Sequence, residues 1–159
     1  SECSHPHQKF VKYWIHNGFL TVEGEKMSKS LGNFITIKDL LNSGYSGNEI
    51  RFVLLNTHYR KPLSFSNHAI ETARLAIQKF QKTIDANPEI VKDLSPSIEL
   101  SDIPPLAQAA LLENINISKF TAIMHGLVND IKNTHDLKGK RELVNNLYKM
   151  SLLIGIKYL

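Results

Sequence analysis

Two lysines stand three residues apart, at Lys26 and Lys29, in a stretch that is rich in glycine and serine. Ammonium groups on such a loop neutralise negative charge that develops on a leaving polyphosphate. Serine hydroxyls and backbone N–H groups add hydrogen bonds to phosphate oxygens, and Gly32 allows the backbone to turn. A solvated surface loop is the commoner explanation for any single lysine. The combination predicts a polyphosphate-binding loop made of Lys26, Met27, Ser28, Lys29 and Ser30.

A second group of cationic or titratable side chains follows the loop at the positions Arg51, His58, Arg60 and Lys61. Basic residues clustered near one helix end are suited to contact RNA phosphates. A solvated helix face and helix end explain the same pattern equally well, so the residues alone leave both interpretations open.

A metal site is the other chemistry that the sequence suggests, because Cys3, His5 and His7 form a C-x-H-x-H pattern. Cysteine and histidine both bind zinc. The three residues are crowded, lack a second pair and lie at a terminus. We therefore predict no metal site in this chain. A single cysteine also excludes an intramolecular disulfide.

The elements before and around the lysine loop are predicted to be short. Aromatic and β-branched residues fill 10–22, and Asn17-Gly18 between two such runs predicts a β-hairpin. Thr36 and Asp39 form a capping box that begins a helix ending near Asn42. A second capping box, Ser46 to Glu49, predicts a helix to about Tyr59, with Ile50, Val53, Leu54 and Thr57 on its apolar face.

The later part of the chain has the 3.6-residue periodicity of helices. Ser66 or Asn67 caps a helix of about 20 residues that stops at Asn87-Pro88, with Leu75, Ile77 and Phe80 among its apolar positions. A linker is predicted over 94–102, followed by helices over 105–113, 118–134 and 138–154. Met124 and Met150 are predicted to fill the core. The fold class is therefore mostly α, ending in an up-and-down helical bundle.

Composition narrows the class of protein. The chain has 159 residues, 42% of them hydrophobic, and a net charge of +4. No apolar run approaches the 18 residues of a membrane span, and no signal core precedes the first motif, which favours a cytoplasmic protein. The mild positive charge suits an anionic partner without identifying one.

The stretch GEKMSKSLGNF, which contains the two lysines, resembles the signature loop of class I aminoacyl-tRNA synthetases. Its flanks, over 10–33 and 50–66, are similar to the cysteinyl-tRNA synthetases. This resemblance covers about the first 80 residues, and the remainder is similar only as a helical region.

The resemblance implies that the chain corresponds to the C-terminal part of such an enzyme, beginning just after its zinc-ligand segment. Residues 1–34 would be the edge of a Rossmann-type catalytic domain, made of a β-hairpin and the signature loop. Residues 35–66 would be the stem-contact fold and residues 67–159 the helical bundle.

The implied activity is the ATP-dependent activation of cysteine and its transfer to tRNA(Cys). Lys29 would have the larger role on the phosphates of magnesium-bound ATP, and Lys26 a supporting role. Zinc would be held by residues outside this chain. The same resemblance favours RNA contact by the four basic residues after the loop. The chain is expected to need an N-terminal catalytic portion and to be inactive alone.

Two alternatives stay open. The cysteine-dependent amide ligase of mycothiol synthesis shares the signature loop but joins cysteine to an amino sugar. A non-catalytic RNA-binding fragment would bind tRNA with a strong salt dependence and would bind no nucleotide.

Overall fold

We analysed a computed structural model, which describes Cys3, residues 10–91 and residues 97–158. It contains a small sheet with the strand order β2-β1-β3. Strand β1 (Leu20–Val22) pairs antiparallel with β2 (Glu25–Lys26) and parallel with β3 (Leu63–Phe65). In the parallel pair Leu20 lies beside Leu63 and Val22 beside Phe65, so the sheet joins the loop region to the start of the helices.

Helices make up most of the described chain, which confirms the mostly α prediction. Seven α-helices and one short 3-10 helix, Leu100–Asp102, lie within the described ranges. The α-helices are α1 (Ile37–Asn42), α2 (Gly47–Asn56), α3 (Asn67–Asp85), α4 (Pro88–Val91), α5 (Pro105–Leu112), α6 (Ile117–Asn133) and α7 (Leu137–Leu153).

The predicted helix starts are confirmed by their caps. Thr36 and Ser46 each accept a hydrogen bond from the backbone three residues later, in complete capping boxes with Asp39 and Glu49. Ser66 caps α3 by accepting from the backbone N–H of Ala69 at 3.1 Å. These oxygens satisfy backbone N–H groups that have no partner inside the helix.

The predicted end of α2 at Tyr59 is wrong, because the helix ends at Asn56. Thr57 is extended, and a turn follows in which the Lys61 backbone N–H donates to the His58 carbonyl at 2.8 Å. The turn redirects the chain so that Leu63–Phe65 can pair with β1. No sequence pattern had predicted this strand, because three residues are too few to show alternation.

The hairpin prediction at Asn17-Gly18 is also wrong. The hairpin turn lies at Glu23-Gly24, where both residues have positive φ, 49° and 83°, as a type I′ turn requires. Gly18 is instead a close contact: a Cβ atom there would clash with the Lys61 carbonyl, and its N–H donates to the Tyr59 carbonyl at 2.6 Å. Gly18 therefore allows its extended segment to approach the backbone at Lys61 closely, a role that glycine often has in extended chain.

One hydrophobic cluster extends from α2 through β3 and α3 to the end of α7. Phe80, Met124 and Met150 have no exposed surface, so the prediction that both methionines fill the core is confirmed. Two predicted apolar-face residues are exposed instead, Leu54 at 44% and Leu75 at 66%. Phe52 and Ala76 are buried instead, and the buried residues of α3 keep the helical spacing that Leu75 does not share.

None of the helices in the described part of the chain combines the length and the apolar character needed to cross a membrane.

Candidate functional site

The predicted phosphate-binding loop leaves the sheet at the end of β2, whose last residue is Lys26. The Glu23-Gly24 turn sets the direction in which it leaves, and the Glu23 carboxylate fixes that turn to α3 by accepting from the Asn67 backbone N–H at 3.1 Å. The Glu23 backbone N–H also donates to the Phe65 carbonyl at 2.9 Å. The base of the loop is therefore tied to β3 and to the start of α3.

The loop is closed on itself by Asn33. Its side-chain oxygen accepts from the Ser28 backbone N–H at 2.8 Å, and its side-chain NH2 donates to the Lys26 carbonyl at 3.1 Å. Ser28 Oγ accepts from the Leu31 backbone N–H at 3.2 Å and lies 3.1 Å from Ser30 Oγ. One amide side chain thus joins the beginning of the loop to its end.

Both lysines of the loop present their ammonium groups at an exposed surface. The Lys29 Nζ atom lies 5.7 Å from the centre of the Phe34 ring, a cation–π distance. Neither lysine has a carboxylate partner among the residues that the structure describes. Their charge is therefore available to an anionic ligand.

The three other residues of the predicted phosphate-binding loop differ in their solvent exposure. Ser30 is exposed and Ser28 half-buried. Met27 is half-buried and lines a cavity of about 70 Å³ with Val22, Ile35 and other apolar residues. Met27 therefore packs against the apolar residues beneath the loop.

The four predicted RNA-contact residues do not form one group. His58, Arg60 and Lys61 lie together in the turn after α2. The Arg60 backbone N–H donates to His58 Nδ1 at 3.3 Å, and the Arg60 guanidinium bonds the side-chain oxygen of Asn114 at 3.4 Å. The rings of His58 and Tyr59 stack with centres 4.8 Å apart.

Arg51 lies elsewhere, against the end of α7. A Cβ atom on Gly155 would come within 3.1 Å of the Arg51 guanidinium, and Gly155 has a φ of +77°. The same end is held by a pair of bonds in which Asn48 donates to the Lys157 carbonyl at 2.6 Å and accepts from the Lys157 N–H at 3.3 Å. Arg51 therefore packs as part of the contact between α2 and the chain end.

A charged pair holds α2 against α3. The Arg74 guanidinium bonds Glu49 at 2.8 Å and Glu71 at 3.1 Å. Burial opposes ionisation of Glu49, but hydrogen bonds from Arg74 and from Ser46 outweigh burial and lower the pKa of that carboxyl. The ion pair therefore fixes α2, the helix that carries Arg51 and leads into the His58–Lys61 turn.

Sequence reasoning missed two residues that shape the site, and both carried a usable signal. Asn33 follows a glycine in a loop, where asparagine commonly bonds nearby backbone. Gly18 stands in an extended segment, where glycine can mark a close backbone approach.

Of the C-x-H-x-H residues, only Cys3 is described, and it is exposed. The hypothesis of a metal site there involves His5 and His7, which lie outside the described residues. Within the ranges described, no group of three His, Cys, Asp or Glu residues is arranged to hold a metal ion.

The class of protein is indicated by a family match over the region that contains the loop. Residues 1–75 match the family described as "tRNA synthetases class I (C) catalytic domain". The matched range includes the loop and continues through β3 into α3.

Individual relatives narrow this class. The chain is 41% identical over 155 residues to a cysteine–tRNA ligase of Ehrlichia canis (strain Jake), covering 97% of this chain and 33% of that protein. A cysteine–tRNA ligase of Anaplasma phagocytophilum (strain HZ) is 40% identical with the same coverage, and one of Rickettsia massiliae (strain Mtu5) is 41% identical over 82% of this chain and 26% of its own length.

The resemblance to the C-terminal part of cysteinyl-tRNA synthetases is thus confirmed, and the chain is related to them over almost its whole length. It spans about a third of the length of these relatives.

Proposed function

We propose that this chain is the segment of a cysteine–tRNA ligase that supplies the ATP-contacting signature loop and part of the tRNA-binding surface. The observation that carries the proposal is the braced loop after β2, in which Lys26 and Lys29 are exposed and have no carboxylate partner in the described part of the chain. The relatives named as cysteine–tRNA ligases match the chain on both sides of this loop. A part in protein synthesis would place the protein in the cytoplasm.

In the proposed reaction the carboxylate of cysteine attacks the α-phosphate of ATP, and pyrophosphate leaves. The terminal adenosine hydroxyl of tRNA(Cys) then attacks the cysteinyl carbonyl, the bond from that carbonyl to the phosphate breaks, and AMP leaves. Negative charge builds on the β- and γ-phosphates as the bond to the α-phosphate breaks. Ammonium groups positioned at those phosphates favour the transition state over the ground state.

We assign Lys29 the main contact with the departing phosphates and Lys26 a supporting contact. Ser28 and Ser30 hold the loop closed through their hydroxyl groups, which lie 3.1 Å apart. Met27 anchors the loop to the sheet beneath it. Magnesium would accompany ATP, and the family's zinc ligands are expected outside this chain.

The domain assignment is part of the proposal. Residues 1–34 would complete the edge of a Rossmann-type catalytic domain, residues 35–66 would form the stem-contact fold, and residues 67–159 the helical bundle. The His58–Lys61 turn is the better candidate for RNA contact, because its basic side chains lie together at the surface. Arg51 is the weaker candidate, since its guanidinium packs beside Gly155.

The amide ligase of mycothiol synthesis is the competing enzyme. The three relatives described above are all cysteine–tRNA ligases, which favours the tRNA enzyme. A binding assay with tRNA(Cys) and with the amino sugar would separate the two. A purely RNA-binding fragment differs from both enzymes because it would bind no nucleotide. Substitution of the loop lysines would then change no ATP-dependent activity.

The test is Lys29→Ala in a cysteine–tRNA ligase of full length that carries this segment. We expect kcat for cysteine-dependent ATP–pyrophosphate exchange to fall about 100-fold, as is typical when one charge-stabilising donor is removed. Lys38→Ala is the matched control, an exposed lysine on α1 with no described carboxylate partner, and it should leave exchange unchanged. Unaltered exchange in Lys29→Ala would remove this residue from the mechanism and contradict the proposal.

A further inference from the structure

A cleft at the far end of the helical bundle is lined by four lysines from three helices. Lys79 and Lys82 come from α3, Lys132 from the end of α6 and Lys140 from the beginning of α7. The cleft has a volume of about 290 Å³, and its other walls are formed by Thr83, Ala86, Asn87 and Ile131. We call it the lysine cleft.

The positive charge of the lysine cleft is not neutralised by neighbouring carboxylates. No acidic residue lines it, and in the described part of the chain none of its lysines has a carboxylate within 4.0 Å. Lys79 makes one long contact, 3.5 Å to the side-chain oxygen of Asn129. The Asp136 carboxylate caps α7 by accepting the Gly139 N–H at 2.7 Å, and in the described part of the chain it forms no ion pair with the four lysines.

Helix electrostatics explain only part of this cluster. Lys82 and Lys132 lie in the last turns of α3 and α6, where a cation is favoured by the helix dipole. Lys140 lies instead near the beginning of α7, whose first turn contains no acidic residue. The helix dipole disfavours a cation at that end, although the Asp136 cap four residues earlier partly offsets this effect.

Helix α6 connects the lysine cleft with the other basic surface, the His58–Lys61 turn. Helix α6 begins beside the end of α2, where Ser118 Oγ donates to the Asn56 carbonyl at 3.0 Å, close to the His58–Lys61 turn. It then extends for 17 residues, or about 25 Å, to the lysine cleft. A single ligand that contacts both places must reach the length of α6 and carry negative charge at both contacts, as a nucleic-acid backbone does.

We propose that the lysine cleft binds the phosphates of an RNA backbone, as a second contact for the RNA whose first contact is the turn after α2. Lysines act as point charges on phosphates, and an open cleft with four of them suits successive phosphates of one strand. This inference rests on the proposed function for the identity of the RNA, which would be tRNA(Cys). The binding is insensitive to base sequence, because lysines that contact phosphates do not read bases.

The test uses the 159-residue chain and a fluorescently labelled tRNA(Cys) transcript, with affinity measured by anisotropy over a range of salt concentrations. The double variant Lys82→Gln/Lys132→Gln removes two charges from the cleft. The control Lys38→Gln/Lys157→Gln removes two charges from exposed lysines outside it. Both variants lower the net charge equally, and circular dichroism checks that both keep their helices.

We expect the cleft variant to bind tRNA(Cys) about tenfold more weakly than the wild type at low salt. The slope of log K against log salt should decrease by about 1.5, since each lost phosphate contact removes about 0.7 to 0.9. The control should change affinity less than about twofold. Equal losses in the two variants, or none in the cleft variant, would overturn the assignment.

Two further outcomes separate this inference from the proposed function. If inorganic phosphate stabilises the wild type against heat but not the cleft variant, and tRNA affinity is unchanged, the cleft takes free phosphate and the RNA assignment is wrong. If the wild type does not bind tRNA(Cys), the cleft assignment fails together with the RNA partner. The exchange assay on Lys29→Ala still tests the catalytic role in that case.

Discussion

Between residues 10 and 34 most large apolar side chains are exposed, whereas between Ile50 and Ile156 they form one continuous core. Tyr13, Trp14 and Phe19 are each more than 70% exposed. The loop that follows is shaped by short-range bonds, chiefly those of Asn33 to Lys26 and Ser28. The bundle is shaped by packing between helices that are distant in sequence.

This difference indicates how each region obtains its structure. The bundle contains enough buried apolar surface to hold its own helices together. The segment before the loop exposes a run of aromatic residues of the kind that marks a contact with another surface. We infer that the bundle supplies stability and that the loop region supplies an exposed surface and a cationic loop held by local hydrogen bonds. Three experiments sharpen or break this comparison.

The largest effect on stability is expected from Phe80→Ala. The ring is fully buried and meets the Phe52 ring edge-on with centres 6.0 Å apart. Truncation should lower the free energy of unfolding by about 3–5 kcal/mol, measured by urea denaturation. Leu75→Ala, on the same helix but 66% exposed, should change it by less than about 0.5 kcal/mol. Similar losses of unfolding free energy in the two variants would contradict the inference that the buried core stabilises the protein.

Asn33→Ala should reduce the exchange rate and leave the stability nearly unchanged, whereas Phe80→Ala reduces the stability. Loss of both bonds frees the loop to misplace its lysines, so ATP–pyrophosphate exchange by the full-length ligase should fall about tenfold. The free energy of unfolding should change by less than about 0.5 kcal/mol, because Asn33 contributes no core contact. Asn33→Asp keeps the acceptor for the Ser28 N–H and should give an intermediate rate.

Asn42→Ala, an exposed asparagine at the end of α1, is the matched control and should leave the exchange rate unchanged. A large loss of stability in Asn33→Ala, or a normal rate, would contradict the division of roles between the two regions.

The smallest effect concerns acid stability and the two capping boxes. Hydrogen bonds from Thr36 lower the pKa of Asp39 in α1, and bonds from Arg74 and Ser46, working against burial, lower that of Glu49 in α2. A lowered carboxyl pKa contributes stability above the ordinary value, 4.5 for Glu49, and that contribution is lost as the pH falls through the lowered value.

Glu49→Gln should therefore flatten the decrease in stability below pH 4.5, since Glu49 is tied to the core through Arg74. Asp39→Asn should leave global unfolding unchanged at every pH, because α1 contains no buried residue and can fray alone. Thermal denaturation of both variants across the acid range is the measurement. A flattened curve for Asp39→Asn would show that α1 is part of the cooperative unit.

Local signals in the sequence determined the caps and the positions of the long helices. Thr36, Ser46 and Ser66 bond backbone groups within three residues, so the information they need is local. Met124 and Met150 were predictable because a helix of 17 residues repeats its apolar stripe several times. The pentapeptide from Lys26 to Ser30 was sufficient to indicate phosphate chemistry.

Tertiary structure decided what depends on residues far apart in the chain. The sequence predicts a turn at Gly18, but the folded chain places the Lys61 carbonyl against it. Leu63–Phe65 is a strand because it pairs with β1. Arg51 was separated from His58 by its packing against Gly155, and Lys79, Lys82, Lys132 and Lys140 were brought to one cleft by three helices. Periodicity describes one element at a time, whereas these contacts arise from how elements pack, and only the folded chain defines that arrangement.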